Sequence, residues 1–230
     1  NDTPGVMLSS AAKEYLKVYG VLVGKKPLIF TNNDSGYETA IEFKKNGVEP
    51  IILDTRKEPN SEIIEEAKNL GIQIKFSYVV VAAKGYKKVN AAEIAKISDN
   101  KNDLGVLENI NCDCICVSGF WTPTIHLASQ SGNKTKFDKD IDAFVPGVSK
   151  QNETTLGAAN GTFTLAETLK DSFNAGYELS KKITKNDNKI SYPKVVEKNK
   201  TTHDKFWCVP LPKGKTYKRF LDFQNDVAVS

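Results

Sequence analysis

The sequence contains no apolar run that approaches the roughly 18–20 residues a membrane-crossing helix needs, so no span of that kind is expected. Arginine is nearly absent: apart from Arg56 and Arg219, all of the 32 basic residues are lysine. The forked guanidinium is the group favoured for reading phosphates and base edges, and its scarcity argues against a nucleic-acid partner. The lysines are mixed with acids, as in Glu42-Phe43-Lys44-Lys45, and 28 acidic residues bring the net charge down to +4. That is the pattern of a solvated surface.

Cysteine is scarce as well, with four residues at positions 112, 114, 116 and 208. In Cys112-Asp113-Cys114-Ile115-Cys116 the thiols recur with period two, which places all three on one face of a strand. Tetrahedral zinc sites usually use C-x2–4-C knuckles, and no second cluster is present to complete one. Buried thiols in a core strand are expected, with no metal and no disulfide framework, which suits a reducing, cytoplasmic setting. His126 and His203 lack a Ser, Cys or carboxylate neighbour that would make a triad, so no catalytic residue is expected. The chain begins Asn1-Asp2-Thr3-Pro4 without an initiator Met, signal or transit segment, and reads as an internal stretch of a longer polypeptide.

What remains is an ordinary globular composition, 40% hydrophobic and 26% charged over 230 residues. Its most telling segment is Phe30-Thr31-Asn32-Asn33-Asp34-Ser35-Gly36-Tyr37. An apolar run, Pro27-Leu28-Ile29-Phe30, precedes it. Gly36, Tyr37, Ala40, Ile41 and Phe43 follow at helical spacing, and a second apolar run, Pro50-Ile51-Ile52-Leu53, ends on Asp54. Strand, turn, helix, strand, acid is the order of a dinucleotide-binding βαβ unit. The three glycine positions of that fingerprint read Thr31, Asn33 and Gly36, and only Gly36 fits. Asn33 tolerates the positive φ of such a turn. Asp34 is placed to cap the helix and to repel a phosphate. Asp54 has the spacing of a ribose-binding acid, or of a plain strand-ending loop residue. Asn33, Gly36 and Asp54 are therefore nucleotide-contact candidates with a competing structural reading.

Gly157-Ala158-Ala159-Asn160-Gly161 is the second candidate cradle. It feeds the longest expected helix, with Leu165, Leu169, Phe173, Gly176, Ser180 and Ile183 on one side. Gly157, Ala158 and Gly161 allow close approach of a ligand, and Asn160 both donates and accepts hydrogen bonds. The alternative is a tightly packed helix entry. Elsewhere, helices are expected over Ser10–Val18 and around Ile63, Ile64, Ala67 and Leu70. Strands are expected over Ile72–Phe76, Tyr78–Ala83, Ile94–Ile97 and Cys114–Val117. Residues 129–155 read as irregular, and 186–219 as an extended arm. Trp121 and Trp207 suit either core packing or an interface.

Several stretches resemble the alpha subunits of heterotetrameric sarcosine oxidase. They include Asn1-Asp2-Thr3-Pro4-Gly5-Val6-Met7-Leu8, Phe30-Thr31-Asn32-Asn33-Asp34, Cys112-Asp113 and Val117-Ser118-Gly119-Phe120-Trp121-Thr122-Pro123-Thr124-Ile125-His126-Leu127. Ser129-Gln130-Ser131-Gly132, Phe144-Val145-Pro146-Gly147, Gly157-Ala158-Ala159-Asn160-Gly161 and Asp222-Phe223-Gln224-Asn225-Asp226-Val227 complete the set. The resemblance implies an α/β architecture, a Rossmann-like NAD-type domain inserted in part of an FAD-type, two-dinucleotide-domain fold. Residues 1–24 would belong to the FAD-type domain, 25–98 to the NAD-type domain and 99–185 to the return into the FAD-type domain. Residues 186–230 would form an irregular arm to the next domain. It further implies NAD held by the alpha subunit, FAD and FMN in the wider complex, and beta, gamma and delta subunits as partners. Sarcosine oxidation would belong to the beta subunit, leaving this stretch inactive alone. Two other readings stay open: a subunit of a related flavin-dependent reductase or amine dehydrogenase, and a Rossmann scaffold that has lost its ligand.

Overall fold

The computed structural model describes residues 3–119, 121–185, 191, 195, 204–215, 219–222 and 227–229. His203 and the Phe223–Asp226 part of the last matching segment lie outside the described residues. The chain divides into two compact units, residues 1–119 with 202–230, and residues 120–201.

The first unit is built on a five-stranded parallel sheet. Its strands are β1 (Val6–Leu8), β2 (Pro27–Thr31), β3 (Ile51–Asp54), β4 (Gln73–Phe76) and β8 (Cys114–Ser118), in the order β1-β8-β2-β3-β4. The two apolar runs flanking the Thr31–Tyr37 turn are β2 and β3, paired in parallel with Leu28 opposite Ile51 and Thr31 opposite Asp54. A parallel pair needs a crossover, which α2 (Ser35–Lys45) supplies. Helices α1 (Ser9–Tyr19), α2 and α3 (Glu62–Asn69) cover one sheet face, meeting Ile29, Ile52, Cys114 and Cys116.

The other face carries Leu28, Leu53 and Ile115 and is covered by an antiparallel meander. Its strands are β5 (Tyr78–Lys84), β6 (Ala91–Ile97) and β7 (Leu104–Asn111). Burial on both faces explains why the central strands are almost continuously apolar. Leu28, Ile29, Ile52 and Leu53 are all fully buried, each worth about 1.5–3 kcal/mol relative to exposure.

One expectation changes here. Cys114 and Cys116 share the helix face, but Cys112 packs with the meander side. The alternation breaks at Asp113, whose carboxylate accepts the backbone N–H groups of Lys25 (2.8 Å) and Lys26 (2.7 Å). The strand therefore starts only at Cys114. Within the first unit β1 pairs with β8, β8 with β2, and β7 with β6, and its long stretch of chain ends at Gly119.

The second unit holds α4 (His126–Gln130), an antiparallel hairpin of β9 (Thr135–Asp138) and β10 (Ala143–Pro146), a short 3-10 turn (Gly157–Asn160) and α5 (Leu165–Thr184). The hairpin lies within a stretch expected to be irregular. It is joined by an edge-to-face pair of Phe137 and Phe144, centroids 5.2 Å apart, an arrangement aromatic rings favour. Along α5 no described residue is buried. Of the expected arm, the described segment 204–215 has no helix or strand and belongs with the first unit. It is followed by the β11 (Arg219–Asp222) and β12 (Val227–Val229) backbone ladder.

Candidate functional site

At the carboxyl end of β2 the chain makes the turn that a dinucleotide diphosphate would use. Here the turn is filled by its own side chains. Thr31 Oγ1 donates to Asn33 O (2.8 Å) and accepts from Asn33 N–H (3.2 Å). Asn33, fully buried, accepts the N–H of Ser35 (2.9 Å) and the hydroxyl of Ser35 (2.6 Å) on Oδ1. Its amide nitrogen donates to the carbonyls of Ser118 (3.2 Å) and Gly119 (2.6 Å), tying the turn to the end of β8. Gly36 is needed for packing, because a Cβ there would lie 2.6 Å from Thr31 Cβ.

Asp34 starts α2 but makes no side-chain cap. Its carboxylate instead accepts from Arg56 Nη1 at 2.7 Å. Arg56 also holds Asp54, with Nη2 to Oδ2 at 2.8 Å and Nε to Oδ1 at 3.0 Å, and its backbone N–H returns to Asp54 Oδ1 at 2.9 Å. Tyr37 completes the cluster by donating its hydroxyl to Asp54 Oδ2 at 2.7 Å. All four residues are buried, Asp54 completely. Burial opposes the charge on Arg56, but hydrogen bonds to Asp54 and Asp34 outweigh it and raise its pKa. Burial, then the Asp54 carboxylate, pushes the Tyr37 hydroxyl well above its ordinary value.

The consequences for the sequence candidates are concrete. Asn33 is a turn-locking residue, Gly36 a packing glycine, and Asp54 an internal ion-pair partner with both oxygens engaged. The residues at this turn do not fit a dinucleotide diphosphate, which needs bare N–H groups and no nearby acid. Sequence reading missed Arg56 and Tyr37. The signal lay in the Asp-x-Arg spacing and in an apolar helix face that carries one phenol.

The Gly157–Gly161 turn differs. Gly157 (φ 64°) is buried, and a Cβ on it would stand 2.9 Å from Thr168 Cγ2. Gly161 (φ 86°) would bring a Cβ within 2.7 Å of Ile141 Cδ1. Between them Ala158 and Asn160 are exposed. The first N–H groups of such a turn have no partner inside it. The N-terminus of α5 is capped. Thr164 caps the helix by accepting Glu167 N–H at 3.3 Å, and the Glu167 carboxylate receives the Thr164 hydroxyl at 2.7 Å. This Thr-x-x-Glu capping box was readable in the sequence. Contact with a ligand here would rest on Asn160 and the turn backbone.

Neither tryptophan described here is core: Trp121 and Trp207 are 44% and 52% exposed. His126 is exposed at the start of α4. Cys112, Cys114 and Cys116 are buried free thiols and Cys208 an exposed one. Among the described residues no group of His, Cys, Asp and Glu could hold a metal ion. No described helix is long and apolar enough to cross a membrane.

No protein-family model matches the chain. It is 33% identical over 230 residues to the sarcosine oxidase subunit alpha of Rhizobium meliloti (strain 1021), covering 99% of this chain and 22% of that protein. Against the sarcosine oxidase subunit alpha of Corynebacterium sp. (strain P-1) it is 32% identical over 171 residues, 74% of this chain and 18% of that one. The chain spans about a fifth of the length of these curated relatives. Among solved structures it resembles the Escherichia coli HOCl-induced flavoprotein disulfide reductase RclA in its Cu(II) complex. That likeness has a TM-score of 0.53 and 18% identity, over 77% of this chain and 39% of the other. It concerns the fold, which is of the Rossmann-like α/β kind.

Proposed function

Because the chain is a relative of the sarcosine oxidase alpha subunits, aligned over nearly its whole length with about a fifth of theirs, we propose that it is a dinucleotide-binding region of such an oxidoreductase subunit. The alignment over 99% of the chain is the observation that carries this reading. In it residues 25–98, within the first unit, are the NAD-type domain and act as scaffold, since their own turn is occupied by Asn33 and the Asp34–Arg56–Asp54 cluster. The second unit is part of the FAD-type domain and contacts the nucleotide through Gly157, Ala158, Asn160 and Gly161.

The nucleotide is NAD, whose diphosphate would be met by the first N–H groups of the Gly157 turn and by the Asn160 amide. Glycine at both ends keeps the turn tight, and exposed Ala158 and Asn160 leave its outer side accessible. In this reading oxidative demethylation of sarcosine belongs to the FAD and FMN of a partner beta subunit, in a complex completed by gamma and delta subunits. Free thiols suit the reducing, cytoplasmic setting that belongs to this reading.

The test separates the region from the whole. The purified 230-residue chain, given sarcosine and both flavins, should form no hydrogen peroxide, whereas the full-length subunit assembled with its partners should form it readily. Peroxide from the chain alone would refute the division of labour. An assembled complex inert toward sarcosine would refute the substrate.

A further inference from the structure

The first unit is interrupted in sequence. It runs to Gly119 and resumes at residue 202, so two chain connections lead to the second unit, one outgoing and one returning. Inside the first unit, the Thr31–Gly36 turn meets the chain beside both. On the outgoing side Asn32 N–H donates to Ser118 O (3.3 Å), and the Asn33 amide donates to Ser118 O (3.2 Å) and Gly119 O (2.6 Å). On the returning side Asp204 N–H donates to Asn32 O and the Asn32 amide donates to Asp204 O, both at 3.0 Å. The two sides are linked side chain to side chain, because Asn33 Nδ2 also donates to Asn32 Oδ1 at 2.9 Å.

Asn32 and Asn33 are 4% and 0% exposed, and polar groups so buried need partners. A primary amide both donates and accepts, which lets each side chain hold a strand carbonyl and its neighbour at once. Glycine, the residue of a diphosphate-binding turn, has no such group. The turn thus takes the chain's own backbone as its ligand. The returning segment is held again from Lys101, which pairs with Asp204, and farther on where Lys215 reaches the buried Glu93 at 3.1 Å. A cavity of about 180 Å3, with Asn32, Gly119 and Phe206 in its lining, leaves the packing beside the turn incomplete.

We propose that Asn32 and Asn33 are positioning residues that form a clasp on both connections of the second unit, so that the outgoing and returning sides open together while the parallel sheet stays folded. Such opening is sub-global and lies below the free energy of unfolding the whole. The coupling follows from the Asn33–Asn32 bond: loss of Asp204 frees the Asn32 amide, and with it the partner that aligns Asn33 on Gly119. The clasp does not depend on the NAD contact proposed at Gly157–Gly161.

The experiment is single-residue hydrogen–deuterium exchange on the full-length subunit. The residue-32 amide reads the outgoing side, the Asp204 amide the returning side, and Leu53 the sheet. The first two should share one protection factor, about tenfold or more below that of Leu53. Their exchange should depend little on urea, since opening the clasp exposes little surface. Lys101→Ala, a change on the returning side alone, should speed both by the same factor, about two- to fivefold. Asn32→Ala should speed both about tenfold, the worth of one hydrogen bond. The proposal is overturned if Lys101→Ala frees Asp204 alone, which makes two separate contacts of the clasp. It is equally overturned if both amides follow Leu53 in protection and in urea dependence, which makes the turn ordinary core.

Discussion

The two glycine-poor and glycine-rich turns of this chain occupy analogous positions in their sequences, each leading toward a helix, and they meet opposite fates. At Thr31–Gly36 the side chains of Thr31, Asn32, Asn33 and Asp34 are buried, and Asn33, Asp34 and Asp54 spend their hydrogen bonds within the fold. At Gly157–Gly161 the glycines pack inward while Ala158 and Asn160 stay exposed. A βαβ frame does not by itself require a glycine-rich turn. The frame depends on apolar strands and a helix face, whereas binding depends on bare N–H groups and missing side chains.

The largest break in the comparison should come from Arg56→Ala. It removes the buried guanidinium that both Asp34 and Asp54 hold, and urea unfolding should show a loss of about 3–5 kcal/mol. An effect under about 1 kcal/mol would mean the cluster is solvated and the turn is open after all.

Alkaline pH should sharpen the same point. Burial and the Asp113 carboxylate push the Cys112 thiol up to about 11, and burial beside Asp54 raises Tyr37 from its ordinary value near 10. Between the unfolded and folded values the native state keeps a proton that the unfolded chain has released. Stability is therefore full at lower pH and falls as pH rises. Cys112 contributes from about pH 9 to 11 and Tyr37 from about pH 10 upward, each near 1.4 kcal/mol per pH unit. Thermal unfolding as a function of pH should show the decline, and Cys112→Ala should remove its pH 9–11 part. A stability profile flat to pH 11 would contradict the burial of both groups. A smaller effect is expected for Gly36→Ala, whose Cβ would collide with Thr31 at 2.6 Å. Denaturant titration should register about 1–3 kcal/mol of overpacking.

Much of the fold was legible. The β2–α2–β3 unit, the first helix and the strand ending at Val117 all follow from apolar periodicity, because both faces of the sheet are buried. β7 was not legible. Leu104–Asn111 lies at the edge of the meander and shows mostly exposed residues, so it carries no alternation to read. β1 is only Val6–Leu8 and half exposed. The β9–β10 hairpin was hidden by its polar strand, Thr135-Lys136-Phe137-Asp138. Of the site, the poor fit of Asp34 to phosphate was readable from charge alone. The Arg56 bridge was not, since it requires knowing that the ends of β2 and β3 are neighbours.

The most direct test of the central claim is NAD titration of the full-length subunit carrying either Asn160→Asp or Asp34→Asn, each first checked for a folded state. The account predicts that Asn160→Asp, which sets a carboxylate where the diphosphate would be met, weakens NAD binding about tenfold or more, while Asp34→Asn leaves the dissociation constant within about twofold. A large change with Asp34→Asn and none with Asn160→Asp would move the nucleotide to the first turn and contradict the scaffold role assigned to it.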